Sequence, residues 1–64
     1  MPLQVLPDTT RASLATALRA RGEIAIAAAI GTAPGTLRRA RDGVLVRPTT
    51  ATAITTYLKK NPVE

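Results

Sequence analysis

The apolar positions of this chain recur at helical spacing in four stretches, and glycines and prolines punctuate them. The first segment, MPLQVL, is extended by composition and fenced by Pro2 and Pro7. Asp8, Thr9 and Thr10 follow as N-cap candidates, and a helix is expected from about Thr9 to Arg21. Leu14, Ala17, Leu18 and Arg21 share one of its faces, and Gly22 stands where a left-handed C-cap belongs. A second helix is expected from about Glu23 to Ile30, with Ile26, Ala27 and Ile30 on one stripe and alanines small enough for close helix approach. Gly31 ends it at a sharp turn.

Pro34 is tolerated in a first helical turn and so marks the start of a third helix, reaching about Asp42 before Gly43. Val44-Leu45-Val46 is strand-like but short. After Arg47-Pro48, Thr49 or Thr50 is expected to cap a last helix ending near Lys60, with Ala51, Ile54 and Leu58 as its buried stripe. Lys59 and Lys60 suit its negative end, and Asn61-Pro62 terminates it. The expectation is an all-α fold of four or five short helices. Residues 1–8 form an arm, 9–60 the domain and 61–64 a tail.

Composition narrows the function. A chain of 64 residues is one domain near the lower limit for folding unaided. Cys, His, Phe and Trp are absent and Tyr57 is the sole aromatic residue, so disulfides and soft-metal sites are excluded. The core must come from Leu, Ile, Val and Ala, which predicts marginal stability that a partner would raise. Nine Lys and Arg against four acids leave a net charge of +5. No acid lies between Ile24 and Arg41, while Arg38, Arg39 and Arg41 crowd the end of that stretch. That balance favours a polyanionic partner.

Catalysis finds no support: Ser13 is the only serine, no His can serve it, and no two acids pair on one helix face. Neither enzyme activity, cofactor, metal nor small-molecule substrate is expected. The longest apolar run, Ile24 to Ile30, is far below the ~20 residues of a membrane span, and no targeting segment is visible. A cytoplasmic location without membrane association is expected.

On a helical wheel of about 100° per residue, Leu37 and Ala40 point with Ala33 toward the interior. Gly35, Arg38, Arg39 and Asp42 then face outward, with Arg41 at the flank. Arginine grips guanine O6 and N7 in bidentate fashion and also binds phosphate. Gly35 allows close backbone approach, at a cost of up to about 1 kcal/mol in helix stability.

Glu23 to Asp42 resembles the helix-turn-helix of the lambda-repressor-like superfamily, which holds phage Cro proteins, phage repressors and their bacterial relatives. Ala27 and Gly31 match its small fifth and glycine ninth positions. Ile26, Ile30, Leu37 and Ala40 match its apolar fourth, eighth, fifteenth and eighteenth. The downstream stretch GVLVRPTTATAITTYL is similar too, so the resemblance covers roughly Thr9 to Leu58. Three positions depart from the pattern. Thr32 replaces an apolar tenth residue, and Ala33 replaces the Ser or Thr that often caps at the eleventh, which makes Thr32 a candidate to cap the third helix. Glu23 replaces the Gln that often touches a phosphate.

The resemblance implies a domain that binds double-stranded DNA in the major groove, a phage or bacterial transcriptional repressor acting as a homodimer. The implied base-reading set is Pro34, Gly35, Thr36, Arg38 and Arg39. Phosphate contacts fall to Arg41, Arg47 and the helix start at Thr49 and Thr50. Leu3, Val5, Leu6, Val44, Leu45 and Val46 form an expected exposed apolar set for dimerisation, and the two extended pieces can pair with each other. Arg11, Arg19 and Arg21 read as ordinary surface charges. The rival reading is a basic protein-interaction module, of antitoxin or cofactor type, that grips an acidic partner protein.

Overall fold

Each helix supplies the core with at least one large aliphatic side chain and one alanine. The computed structural model describes residues 2–62 and contains α1 (Asp8–Arg21), α2 (Glu23–Ile30), α3 (Pro34–Arg41) and α4 (Pro48–Lys60). Leu14 and Ala17 come from α1, Ile26 and Ala27 from α2, Leu37 and Ala40 from α3, and Ala51 and Ile54 from α4. Leu14, Ile26, Leu37 and Ile54 are fully buried. The alanines let the helix axes approach, and the larger residues fill the space between them. Leu18, Leu6 and Val46 complete the buried set, with Ile30, Tyr57 and Leu58 packed against it. The α1 helix packs on all three others, and α2 also packs on α3 and α4. Met1 of the expected arm and residues 63–64 of the expected tail lie outside the described residues.

The helix ends follow the proline and glycine punctuation with small shifts. The α1 helix begins at Asp8 with Pro7 at the cap, α3 stops at Arg41, and α4 begins at Pro48 with Arg47 at the cap. Thr49 and Thr50 therefore lie inside the first turn of α4 instead of capping it. Neither Thr32 nor any other side chain caps α3; its cap is Ala33, which is exposed and outside the core stripe. Gly22 has φ +85° but ψ 146°, so the chain passes from α1 into α2 through an extended mirror-image conformation and not the left-handed helical one. Gly31 does adopt the left-handed helical conformation, at φ +85° and ψ 37°. Its N–H and that of Thr32 both bond to the Ala27 carbonyl, at 2.8 and 3.0 Å. Only Gly31, Thr32 and Ala33 separate α2 from α3.

The two strand-like pieces meet in a single antiparallel bridge. Gln4 N–H donates to the Val46 carbonyl at 2.9 Å, and Val46 N–H donates back to Gln4 at 2.8 Å. This pairing turns Leu6 and Val46 inward, where they are 3% and 5% exposed. Both leave the expected exposed set, which reduces to Leu3, Val5, Val44 and Leu45.

Two of the expected surface arginines do structural work. Arg21 is exposed and not part of the core stripe; it reaches the last turn of α4. Arg11 is half-buried, pairs with Asp8, and lays its guanidinium under Gly43 at the α3–α4 loop. Its Nε is buried without a hydrogen-bond partner.

Candidate nucleic-acid interface

The third helix presents its inner face, Leu37 and Ala40, to the core and leaves Arg38 and Arg39 exposed. Pro34 opens it, so its first residue has no N–H to orphan. The Val44 N–H closes its far end on the Arg39 carbonyl at 2.9 Å. Both helix starts on this side, α3 and α4, carry proline in the first turn and lack a side-chain cap. At α4 the Ala51 N–H bonds to Arg47 at 2.9 Å, which leaves the Thr49 and Thr50 N–H groups as helix-start donors. Oriented backbone N–H groups and the helix dipoles make this region favourable for anions.

A cleft of about 420 Å³ lies between α3 and α4, walled by Thr36, Arg39, Arg47 and Thr50, with Thr32 and Leu45 among its other neighbours. Four of the expected contact residues thus gather in one place. Arg39 and Arg47 have no acidic partner among the described residues, whereas Asp8, Glu23 and Asp42 are each engaged elsewhere. Thr32, Leu3 and Leu45 also line this cleft, and sequence reasoning did not place them there.

The remaining expected residues sit apart. Arg38, adjacent to Arg39 in sequence, turns toward α2 and donates through Nη1 to Glu23 Oε1 at 2.8 Å. Gly35 lies beneath it: a Cβ there would stand 3.8 Å from Arg38 Nη2. Pro34 is half-buried at the start of the same helix, and Thr49 is exposed on α4. Arg41 donates from Nε to Asp42 Oδ1 at 3.0 Å. That hydrogen bond first, then the charge of Asp42 and the more distant charge of Glu23, raise the Arg41 pKa above its ordinary value, so the group stays cationic. Glu23 as the partner of Arg38 was the contact sequence reasoning missed. The signal was present, since Glu23 is the only acid between Asp8 and Asp42.

The outward face of α3 is therefore divided. The Arg38 side is tempered by a carboxylate, and the Arg39 side opens on a cleft with no acid. Among the described residues, no helix is long and apolar enough to cross a membrane. Comparison with protein-family models, curated proteins and solved structures finds no match to this chain.

Proposed function

We propose that this chain binds double-stranded DNA sequence-specifically, as a transcriptional repressor domain of the lambda-repressor-like type from a phage or bacterium. The α3 helix enters the major groove and presents Gly35, Arg38 and Arg39 to base edges, with Pro34 and Thr36 at its leading turn. Arg41, Arg47 and the α4 start at Thr49 and Thr50 hold the phosphate backbone. The observation that carries this reading is the acid-free cleft in which Arg39 and Arg47 converge beside the exposed face of α3. Two acid-free guanidinium groups near uncapped helix starts suit a polyanion whose charges repeat along a line. The short turn from α2 to α3 fits the supersecondary unit that uses its second helix for groove reading.

We further propose that the domain acts as a homodimer in the bacterial cytoplasm, since one module of this size buries limited surface on a duplex. The rival reading, a module whose basic face grips an acidic protein, draws on the same acid-free pair, Arg39 and Arg47. A mobility-shift assay on genomic fragments across a salt titration separates the two. Retention of a few fragments that weakens steeply with salt supports the regulator. Absence of retention at low salt favours the protein partner and removes the DNA reading.

A further inference from the structure

We propose that Glu23 is a specificity-determining residue: its carboxylate holds Arg38 away from the phosphate backbone while leaving it able to read guanine. The inference rests on the DNA-binding reading above.

The geometry is a single contact, Arg38 Nη1 to Glu23 Oε1 at 2.8 Å, joining residues 15 apart in the chain. The side chains are 53% and 34% exposed, so the pair stands at the surface but is not fully in water. Arg38 folds back along α3 across Gly35, its Nη2 3.8 Å from where a Cβ would stand. Glu23 occupies one amino group only, and Nη2 and Nε remain as donors on the edge of the guanidinium.

Two ligands meet this arrangement differently. A phosphate brings a negative charge toward a guanidinium already paired with a carboxylate, so it gains one attraction and meets one repulsion. On the free edge of Arg38 it stands close to the like charge of Glu23, and if it displaces Glu23 that carboxylate loses its partner. A guanine edge offers two neutral acceptors, O6 and N7, matched to two parallel donors. It takes the free edge of Arg38 while Glu23 keeps Nη1, and no like charges come together. Glu23 therefore penalises the sequence-independent contact and spares the sequence-dependent one. On the other side of α3, Arg39 has no acid and carries no such filter. Specificity by a built-in repulsion against the wrong ligand is a general device.

The test is a salt titration of binding to a random-sequence 20-base-pair duplex and to a duplex selected from a random pool by the unaltered protein. Four chains are compared: unaltered, Glu23→Gln, Arg38→Gln and the double variant, each first melted by circular dichroism. Glu23→Gln is expected to bind the random duplex about tenfold more tightly and to steepen its log affinity against log salt by about one unit. The ratio of selected to random affinity falls accordingly. In the Arg38→Gln background the steepening disappears. Arg38→Gln alone is expected to weaken the selected duplex about tenfold more than the random one, a readout that survives even if Glu23→Gln does not fold. Equal steepening in both backgrounds makes Glu23 a bulk charge and overturns the proposal, as does equal weakening of both duplexes by Arg38→Gln. Failure of the unaltered chain to bind either duplex at low salt overturns the DNA reading itself.

Discussion

Arg21, the last residue of α1, grips Tyr57 near the end of α4: Nη1 donates to the Tyr57 hydroxyl at 3.1 Å, and the guanidinium carbon lies 5.8 Å from the ring centroid. The same side chain donates to the carbonyls of Asn61 at 2.9 Å and Pro62 at 3.3 Å. It thus satisfies groups at the end of α4 that have no helical partner. A planar, multi-donor fork is needed for three acceptors at once, which lysine lacks. Arg21→Ala and Arg21→Lys are both expected to destabilise the fold by about 1 kcal/mol. Amide exchange at residues 57–61 should rise more than exchange in α2. Equal rises everywhere would mean that Arg21 acts on global stability and not on this end.

The turn between α2 and α3 depends on Gly31 through its backbone alone. A Cβ there would meet nothing within 4 Å, so space does not decide the matter; φ +85° does. Gly31→Val is expected to cost roughly 1–2 kcal/mol or more, about 4–8 °C of melting temperature per kcal/mol. Gly31→Asn should cost less, because Asn tolerates the left-handed region. DNA affinity of the folded fraction should hold. A Gly31→Val protein that melts normally yet loses DNA binding would mean that Gly31 lies on the interface.

Much of this architecture is legible in the sequence because its stops are covalent facts. Pro34, Pro48, Gly22 and Gly31 each mark a helix boundary to within a residue, and the apolar spacing around Leu14, Ile26, Leu37 and Ile54 identifies the core. What could not be read depends on where distant segments land. Leu6 and Val46 look exposed until the Gln4–Val46 bridge turns them inward. Arg11 and Arg21 look like solvated charges until α3's end and α4's end arrive beside them. The gathering of Arg39 with Arg47, and the diversion of Arg38 to Glu23, are likewise consequences of packing and not of local pattern.

Gly35 sits inside α3 where alanine would make a stronger helix. The nearest atom to its hypothetical Cβ is Arg38 Nη2 at 3.8 Å, an ordinary contact. Gly35→Ala is therefore expected to stabilise the domain by up to about 1 kcal/mol, raising the melting temperature by about 4–8 °C. The added methyl group stands on the outward face, so binding to a selected duplex should weaken about tenfold while stability rises. Retention of full affinity would show that α3 does not approach DNA closely at this point.

Of the apolar residues in the two extended pieces, Leu3, Val5, Val44 and Leu45 stay at the surface, between 45% and 53% exposed. For a chain of charge +5, self-association needs such an uncharged patch. Leu45 lines the cleft with Arg39 and Arg47, so Leu45→Asp would disturb DNA contacts as well as any dimer. Val5→Asp avoids that overlap. It is expected to raise the dimer dissociation constant at least tenfold by sedimentation, with helicity unchanged. A chain that is monomeric both free and on DNA would remove the dimer from the proposal.

Arg39 and Arg47 line the same cleft yet have different expected roles. Arg39 projects from α3, the proposed reading helix, whereas Arg47 is the cap of α4, where the proposal assigns it to phosphates. Loss of a base-reading arginine costs about 1–3 kcal/mol on the preferred site and relaxes preference at one base pair. Loss of a phosphate contact weakens all sequences alike and lowers the salt slope by about one unit. Arg39→Ala is thus expected to change which duplexes are selected from a random pool, as is Arg38→Ala at a neighbouring base pair. Arg47→Ala should lower affinity uniformly and leave the selected sequence intact. If selection with Arg39→Ala returns the same sequence as the unaltered chain, while the salt slope drops by one, Arg39 belongs with Arg47 on the phosphates. The base-reading surface would then shrink to the Arg38 side of α3, where Glu23 governs it.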